Sequence, residues 1–148
     1  MTADDDLIRL YSQRILALAA ETPLAERLPA PQVSARRRSP LCGSTVTIDL
    51  VLRDGRIAAF GQDVKACALG QASASVLAQN VLGRTRDEIA TTRSALVAML
   101  TKGGPPPGPP FEALEALLPA RDYKNRHASI LLAWDATLAA MDEATAAA

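Results

Sequence analysis

Aromatic residues, histidine and cysteine are scarce in this chain. Phe, Trp and Tyr make up 3% of the 148 residues, so the core must be built from aliphatic and alanine side chains. Sixteen basic residues balance sixteen acidic ones, and a net charge of zero argues against nucleic acid or an anionic membrane as a partner. No apolar run approaches the roughly 20 residues of a membrane span. The acidic start MTADDDLIRL lacks the basic region of a secretory signal. We therefore expect a cytoplasmic protein.

The chain has two cysteines, Cys42 and Cys67, whose oxidation state depends on the compartment. Structural disulfides are rare in the cytosol, so we expect two free thiols rather than a Cys42–Cys67 bridge. The length favours one domain spanning residues 1–148.

Hydrophobic spacing predicts a helix, a hairpin and then more helices. Apolar residues three and four apart indicate a helix from Asp4 to Ala20. Residues 45–52 alternate between apolar and polar, which indicates a half-buried strand. Asp54-Gly55 is a typical hairpin turn, and a return strand over 56–63 would point Ile57, Ala59 and Phe60 inward.

The second half of the chain has helical periodicity. We predict helices from Ala68 to Gly83, from a capping box at Thr85–Glu88 to Gly103, over 111–118, and over 125–143. A proline-rich loop at 103–110 separates the second from the third, because repeated proline removes backbone donors. The order predicts an α+β fold, with helices packed on one face of a small antiparallel sheet of about three strands.

One basic run, Arg36-Arg37-Arg38, stands out from the balanced charge. It is interpreted either as a solvated segment before a strand or as a docking patch for an acidic partner.

Cys67 precedes a stretch of very small residues, ALGQASAS, at the predicted start of a helix. Backbone N–H groups and the positive end of the helix dipole favour a thiolate there, and Lys65 adds positive charge. The alternative is a buried cysteine that acts as a small hydrophobic residue.

Cys42 lies in SPLCGS, a proline and glycine turn just before the hairpin, and Cys67 follows the hairpin. The two outer ends of a hairpin meet, so the thiols should lie near each other and form half of a site for a soft metal. His127, the single histidine, is the candidate for a further ligand, and Asp63 is a possible oxygen ligand.

The ordered set of motifs resembles the iron–sulfur cluster assembly scaffolds of the IscU, SufU and NifU N-terminal family. The matching segments are Pro40-Leu41-Cys42-Gly43, Ala66-Cys67-Ala68, the Ala-Ser helix after it, and Arg126 with Leu132-Ala133-Trp134, which resemble the family's third-cysteine helix. The proline-rich loop is more similar to the SufU branch. The resemblance implies a scaffold rather than an enzyme. Such a scaffold takes sulfur from a cysteine desulfurase and passes the assembled iron–sulfur cluster to acceptor apo-proteins.

The resemblance also implies site roles. Cys67 would accept a persulfide, and Cys42, Cys67 and His127 would hold iron, a transient [2Fe–2S] cluster or zinc. The family's aspartate is Ser44 here, and its third cysteine falls on Ser129 or, with a one-residue shift, on Ala128. Positions 127 and 129 lie about 200° apart on a helix, so they cannot both face the site. The alternative function is that of a degenerate member, an interaction or regulatory module without metal.

Overall fold

The fold is a three-stranded antiparallel sheet with helices on one face, seen in a computed structural model that describes residues 12–41 and 43–147. In these ranges the elements are α1 (Gln13–Ala20), β1 (Val33–Arg38), β2 (Thr45–Arg53), β3 (Arg56–Lys65), α2 (Ala68–Asn80), α3 (Arg86–Thr101), a 3₁₀ helix (Glu112–Asp122) and α4 (Lys124–Ala147). The predicted α+β class with a small antiparallel sheet is confirmed.

The hairpin carries a bulge that the alternation pattern did not predict. Val51 pairs with Ala59 but Leu52 pairs with Ile57, so Ala58 is the extra residue in β3. The bulge shifts the side-chain alternation. Ile57 and Phe60 are therefore both buried in the core, and the prediction that Ala59 points inward is wrong.

The outer face of the sheet, which the helices do not cover, is partly covered by the segment that joins α1 to β1. A Cβ on Gly61 would lie 2.3 Å from the carbonyl oxygen of Glu26, so the backbones meet at a distance that only glycine allows. Asp49, opposite Gly61 in β2, is fully buried beneath this segment. The polar face of β2, which the alternation assigned to solvent, therefore holds a buried carboxylate.

Small side chains let α2 pack closely in the centre of the helical layer. Nine residues from Leu69 to Ala78 are buried, most of them Ala, Ser or Gly. Trp134 of α4 donates its indole N–H to Ser73 Oγ at 3.0 Å, and Ser73 Oγ donates to the carbonyl of Ile130 at 2.7 Å. Phe111 packs edge-on against Trp134, with ring centroids 5.2 Å apart. These two hydrogen bonds and the aromatic contact join α2, α4 and Phe111, the residue before the 3₁₀ helix.

Several predicted boundaries are confirmed and others are corrected. The Thr85–Glu88 capping box is present at the start of α3. The first helix begins at Gln13 with Ser12 as its N-cap, and the predicted part before Ser12 lies outside the described residues. The segment predicted as a helix over 111–118 is a 3₁₀ helix that contains Pro119. None of the helices in the described part is long and apolar enough to cross a membrane.

The arginine run forms part of a strand rather than a segment before one. Arg36, Arg37 and Arg38 are the last three residues of β1, an edge strand, and all three are exposed. Pairing with Thr45–Thr47 of β2 provides the backbone partners that make this segment extended.

Candidate functional site

Cys67 is the N-cap residue of α2, as its position before the small-residue helix predicted. Its backbone is extended, with φ −66° and ψ 171°, and helical geometry begins at Ala68. The first N–H groups of a helix have no partner within the helix, so they are available to a negative group at this position. The thiol is half-buried and not in a disulfide.

Gly70, in the first turn of α2, allows α4 to approach the cysteine. A Cβ at this position would lie 2.6 Å from Ser129 Oγ and 2.8 Å from Ala66 Cβ, both shorter than real contacts. The glycine therefore makes room for Ser129, whose Oγ lies 3.6 Å from Cys67 Sγ. The small residues after Cys67 thus serve the packing and the site together.

A second serine extends this contact to the loop that carries Cys42. Ser44 Oγ lies 3.3 Å from Ser129 Oγ, and both serines are buried. The loop is closed by two backbone hydrogen bonds, from Ser39 N–H to the carbonyl of Ser44 and from Gly43 N–H to the carbonyl of Ser39. We call Ser44, Cys67 and Ser129 the thiol–hydroxyl cluster.

The surroundings of Cys67 favour its thiolate. Burial of the sulfur acts to raise the pKa of Cys67, but hydrogen bonds act in the opposite direction and prevail, so the pKa lies below its ordinary value. The groups that lower it are the N–H of Gly70, the hydroxyl of Ser129, the N–H of Leu69 and the guanidinium of Arg126.

The cation that acts on the thiol is Arg126, a contribution that the sequence interpretation assigned to Lys65. The resemblance included Arg126 but gave it no role. Arg126 and Ser129 are three residues apart in α4 and so share a helix face, a spacing that could have indicated this role. Lys65 Nζ instead lies 3.9 Å from Asp63 Oδ2 at the exposed end of β3.

The two predicted ligands that the structure describes, Cys67 and His127, have different neighbours. Cys42 lies outside the described residues. His127 Nε2 lies 3.0 Å from the carbonyl oxygen of Ala120, and the ring lines a cavity of about 530 Å³ that also contains Arg121 and Lys124. Ser129, two residues further along α4, is the side chain that reaches Cys67. Ligation by His127 therefore stays a prediction.

Asp63 is not directed toward the helical layer. It pairs with Thr47 in the sheet and so shares the outer face with Asp49 and Gly61, two residues along each strand. Among residues 12–41 and 43–147, no group of three or more His, Cys, Asp or Glu side chains is arranged to hold a metal ion. The side-chain oxygen that contacts Cys67 Sγ in this part of the chain is the neutral hydroxyl of Ser129.

Known structures share this fold. The N-terminal part of a nitrogen-fixing NifU-like protein from Brucella abortus is 43% identical, with a TM-score of 0.92 over 97% of this chain and 99% of that one. A putative iron–sulfur cluster assembly scaffold protein for the SUF system from Fervidobacterium islandicum AW-1 is 19% identical, with a TM-score of 0.81 over 90% and 98%. A hypothetical protein is 17% identical, with a TM-score of 0.74 over 91% and 98%. No protein-family model and no curated protein matches the sequence.

Proposed function

Because this chain belongs to the family of NifU-like N-terminal proteins, we propose that it is a scaffold in iron–sulfur cluster assembly that accepts sulfur on Cys67. The observation that carries the proposal is the position of Cys67. Its thiol lies at a helix N-terminus beside Ser129 and Arg126, with a lowered pKa, and it is half-exposed. These are the properties of a nucleophilic cysteine.

The sulfur-transfer step needs no external oxidant or reductant. The Cys67 thiolate attacks the outer sulfur of a persulfide on a cysteine desulfurase, and a new S–S bond forms. The S–S bond of the donor breaks, and its electron pair leaves with the donor cysteine as a thiolate. Cys67 then carries the persulfide. The N–H groups of Gly70 and Leu69 would stabilise its charge before and after transfer.

The cluster is cargo in this proposal, held between Cys42 and Cys67 until an acceptor apo-protein takes it. Resident zinc is a different case, because a zinc site uses about four thiolate, imidazole or carboxylate ligands. Next to Cys67 the described residues provide the hydroxyl of Ser129, which in turn contacts that of Ser44. Neutral hydroxyls are poor zinc ligands, so zinc would depend on Cys42, Cys67 and His127, and the proposed sulfur transfer does not depend on it.

The alternative function, an interaction module without metal, is supported by the same two serines. Ser44 stands where the family has an aspartate, and Ser129 stands where an ungapped alignment places the third cysteine. Both replacements remove a negatively charged ligand beside Cys67. The two functions therefore differ in whether the protein retains an iron–sulfur cluster.

Anaerobic loading separates the two functions. Wild type is incubated with iron and sulfide, with zinc, and with a desulfurase plus cysteine, and compared with Cys42→Ser, Cys67→Ser and His127→Ala. We expect the wild type to take up sulfur and Cys67→Ser to lose this uptake. Failure of the wild type to bind sulfur, iron or a cluster would leave the interaction module. Loss of metal in His127→Ala would establish His127 as a ligand.

A matched gain-of-function variant tests the role of the serine. Ser129→Cys replaces the hydroxyl that lies 3.6 Å from Cys67 Sγ with a thiol, at little change in side-chain volume. We expect it to bind zinc at least about a hundredfold more tightly than wild type, because a thiolate replaces a neutral hydroxyl. Equal zinc affinity would show that Ser129 does not occupy a ligand position.

A further inference from the structure

Three basic side chains lie on the outer face of the sheet at the end nearest the cysteines. Arg38, Thr45 and Lys65 are aligned across β1, β2 and β3, and Arg36 lies two residues before Arg38 on the same face. Adjacent strands are about 4.8 Å apart, so the residues at these positions are close neighbours. We call Arg36, Arg38 and Lys65 the basic rim.

The basic rim is open to solvent and lies at the same end of the sheet as the site, on the opposite face. Arg36 and Arg38 are exposed, and the side chain of Lys65 is 75% exposed. The segment that covers the outer face meets the sheet further along, at Asp49 and Gly61. Arg38 leads directly into the loop that carries Cys42, and Lys65 is two residues before Cys67. The rim is thus joined by backbone to both cysteines.

The charge of the rim is local, because the whole chain has a net charge of zero. Among the residues that the structure describes, Asp63 provides one carboxylate against three cations on this part of the face. Beside the rim, Leu41 exposes 73% of its surface in the loop next to Cys42. A basic patch with an adjacent apolar side chain is suited to a protein partner. Nucleic acid is less suited, because the net charge of zero provides no extended positive surface.

We propose that the basic rim is the docking surface for an acidic protein that delivers sulfur to Cys67, with Leu41 as the apolar contact of the same interface. The proposal rests on the proposed function, in which Cys67 receives sulfur from a desulfurase. Complementary charge at an interface mainly accelerates association and orients the partner. A rim joined to both cysteines would hold the donor sulfur at the site, where Cys67 Sγ is half-exposed.

Charge reversal tests the rim without removing charge from the edge strand. Charged residues also prevent edge strands from pairing with other chains, and Arg36→Glu/Arg38→Glu keeps this protection while it inverts the sign. The matched control is Arg53→Glu, an exposed arginine at the opposite, hairpin end of β2. Persulfide on Cys67 is measured by mass spectrometry with two donors: the cysteine desulfurase of the same organism plus cysteine, and inorganic polysulfide.

We expect Arg36→Glu/Arg38→Glu to slow loading from the desulfurase about tenfold or more at low salt, and to leave polysulfide loading unchanged. Arg53→Glu should load at the wild-type rate from both donors. Added salt should slow desulfurase loading of the wild type much more than that of the double variant, a measurement that does not depend on the variant's stability.

Four outcomes would overturn the proposal or the function on which it rests. Desulfurase loading of the double variant at the wild-type rate would reject the rim while the proposed function stands. An equal loss in Arg53→Glu would show that net charge, not the rim, matters. Wild type that is loaded by polysulfide but not by the desulfurase would reject this sulfur donor, and wild type that is loaded by neither would reject the proposed function itself.

Discussion

Asp49 and Cys67 are two acidic groups whose pKa values the fold lowers in different ways. Asp49 lies fully buried on the outer face of the sheet. Burial acts to raise its pKa, but hydrogen bonds from Arg27, Ser34 and the Leu28 N–H act in the opposite direction and prevail. Arg27 Nη2 donates to Asp49 Oδ1 at 3.0 Å, and Leu28 N–H donates to Oδ2 at 3.1 Å. Both carboxylate oxygens are engaged.

Cys67 also accepts hydrogen bonds that lower its pKa, but it is less buried than Asp49. Its Ser129 contact is 3.6 Å, and the sulfur stays half-exposed. The difference indicates two roles. A fully bonded, fully buried carboxylate fixes the segment from Glu26 to Leu28 onto the sheet, whereas a half-exposed thiolate stays available for reaction. Stability should therefore depend on Asp49 and reactivity on the cluster around Cys67.

The largest expected effect is on stability at the Asp49 side. Asp49→Ala leaves the Leu28 N–H and the Ser34 hydroxyl without their acceptor beneath the covering segment. We expect the free energy of unfolding to fall by about 2–3 kcal/mol, measured by denaturant titration. Asp63→Ala is the control on the same face, since its exposed pair with Lys65 should contribute less than about 0.5 kcal/mol. Equal losses would refute the contrast between the two carboxylates.

Gly70→Ala should lower both the stability of the fold and the reactivity of Cys67, because Gly70 lies in the core and next to the site. The added methyl group overlaps Ser129 and Ala66, and relief requires α4 to move away from α2. We expect a loss of about 1–3 kcal/mol together with slower alkylation of Cys67. Gly108→Ala is the control, since a Cβ there meets nothing within 4 Å. An unchanged alkylation rate would show that the contact between α2 and α4 does not affect the reactivity of Cys67.

Ser129→Ala should affect reactivity more than stability. The variant removes one hydrogen bond that lowers the pKa of Cys67, so less thiolate is present at neutral pH. We expect alkylation by iodoacetamide to slow about threefold to tenfold, the equivalent of about 1 kcal/mol. Thr137→Ala removes a buried hydroxyl from the same helix two turns away, and its alkylation rate should match the wild type. A similar slowing in both variants would contradict the role of Ser129.

The smallest expected effect is on stability in acid. Since the pKa of Asp49 is lowered in the folded state, its charge stabilises the fold above the unfolded value of about 3.9. This contribution is lost as the pH falls through the lower folded-state pKa. Thermal melts below about pH 4 should therefore decline more steeply for wild type than for Asp49→Asn. Parallel decline would show that the ion pair does not persist in solution.

Local patterns predicted most of the fold. The alternation over β2, the Asp54-Gly55 turn and the Thr85–Glu88 box each depend on neighbours in sequence, and each is confirmed. The burial of Asp49 and the bulge at Ala58 depend on the segment that crosses the sheet and on strand pairing. Neither is encoded in the period of one strand, so the sequence could not reveal them.

The site was predictable in part for the same reason. Cys67 at a helix start follows from local pattern. The contact of Ser129 with Cys67 joins residues 62 positions apart, and the contact of Ser44 with Ser129 joins residues 85 apart. The family resemblance indicated both serines as replaced ligands, but their mutual contact requires α4 to pack against the loop before β2.

The central claim is that the fold holds Cys67 as a reactive thiolate, and its alkylation rate as a function of pH tests this most directly. In the Cys42→Ser variant Cys67 is the single thiol, so the rate reports on this group alone. We predict a midpoint clearly below the value of about 8.5 for a free cysteine, shifted upward in the combined Cys42→Ser/Ser129→Ala variant. A midpoint at or above the free value would show that burial prevails over the hydrogen bonds and would contradict the account.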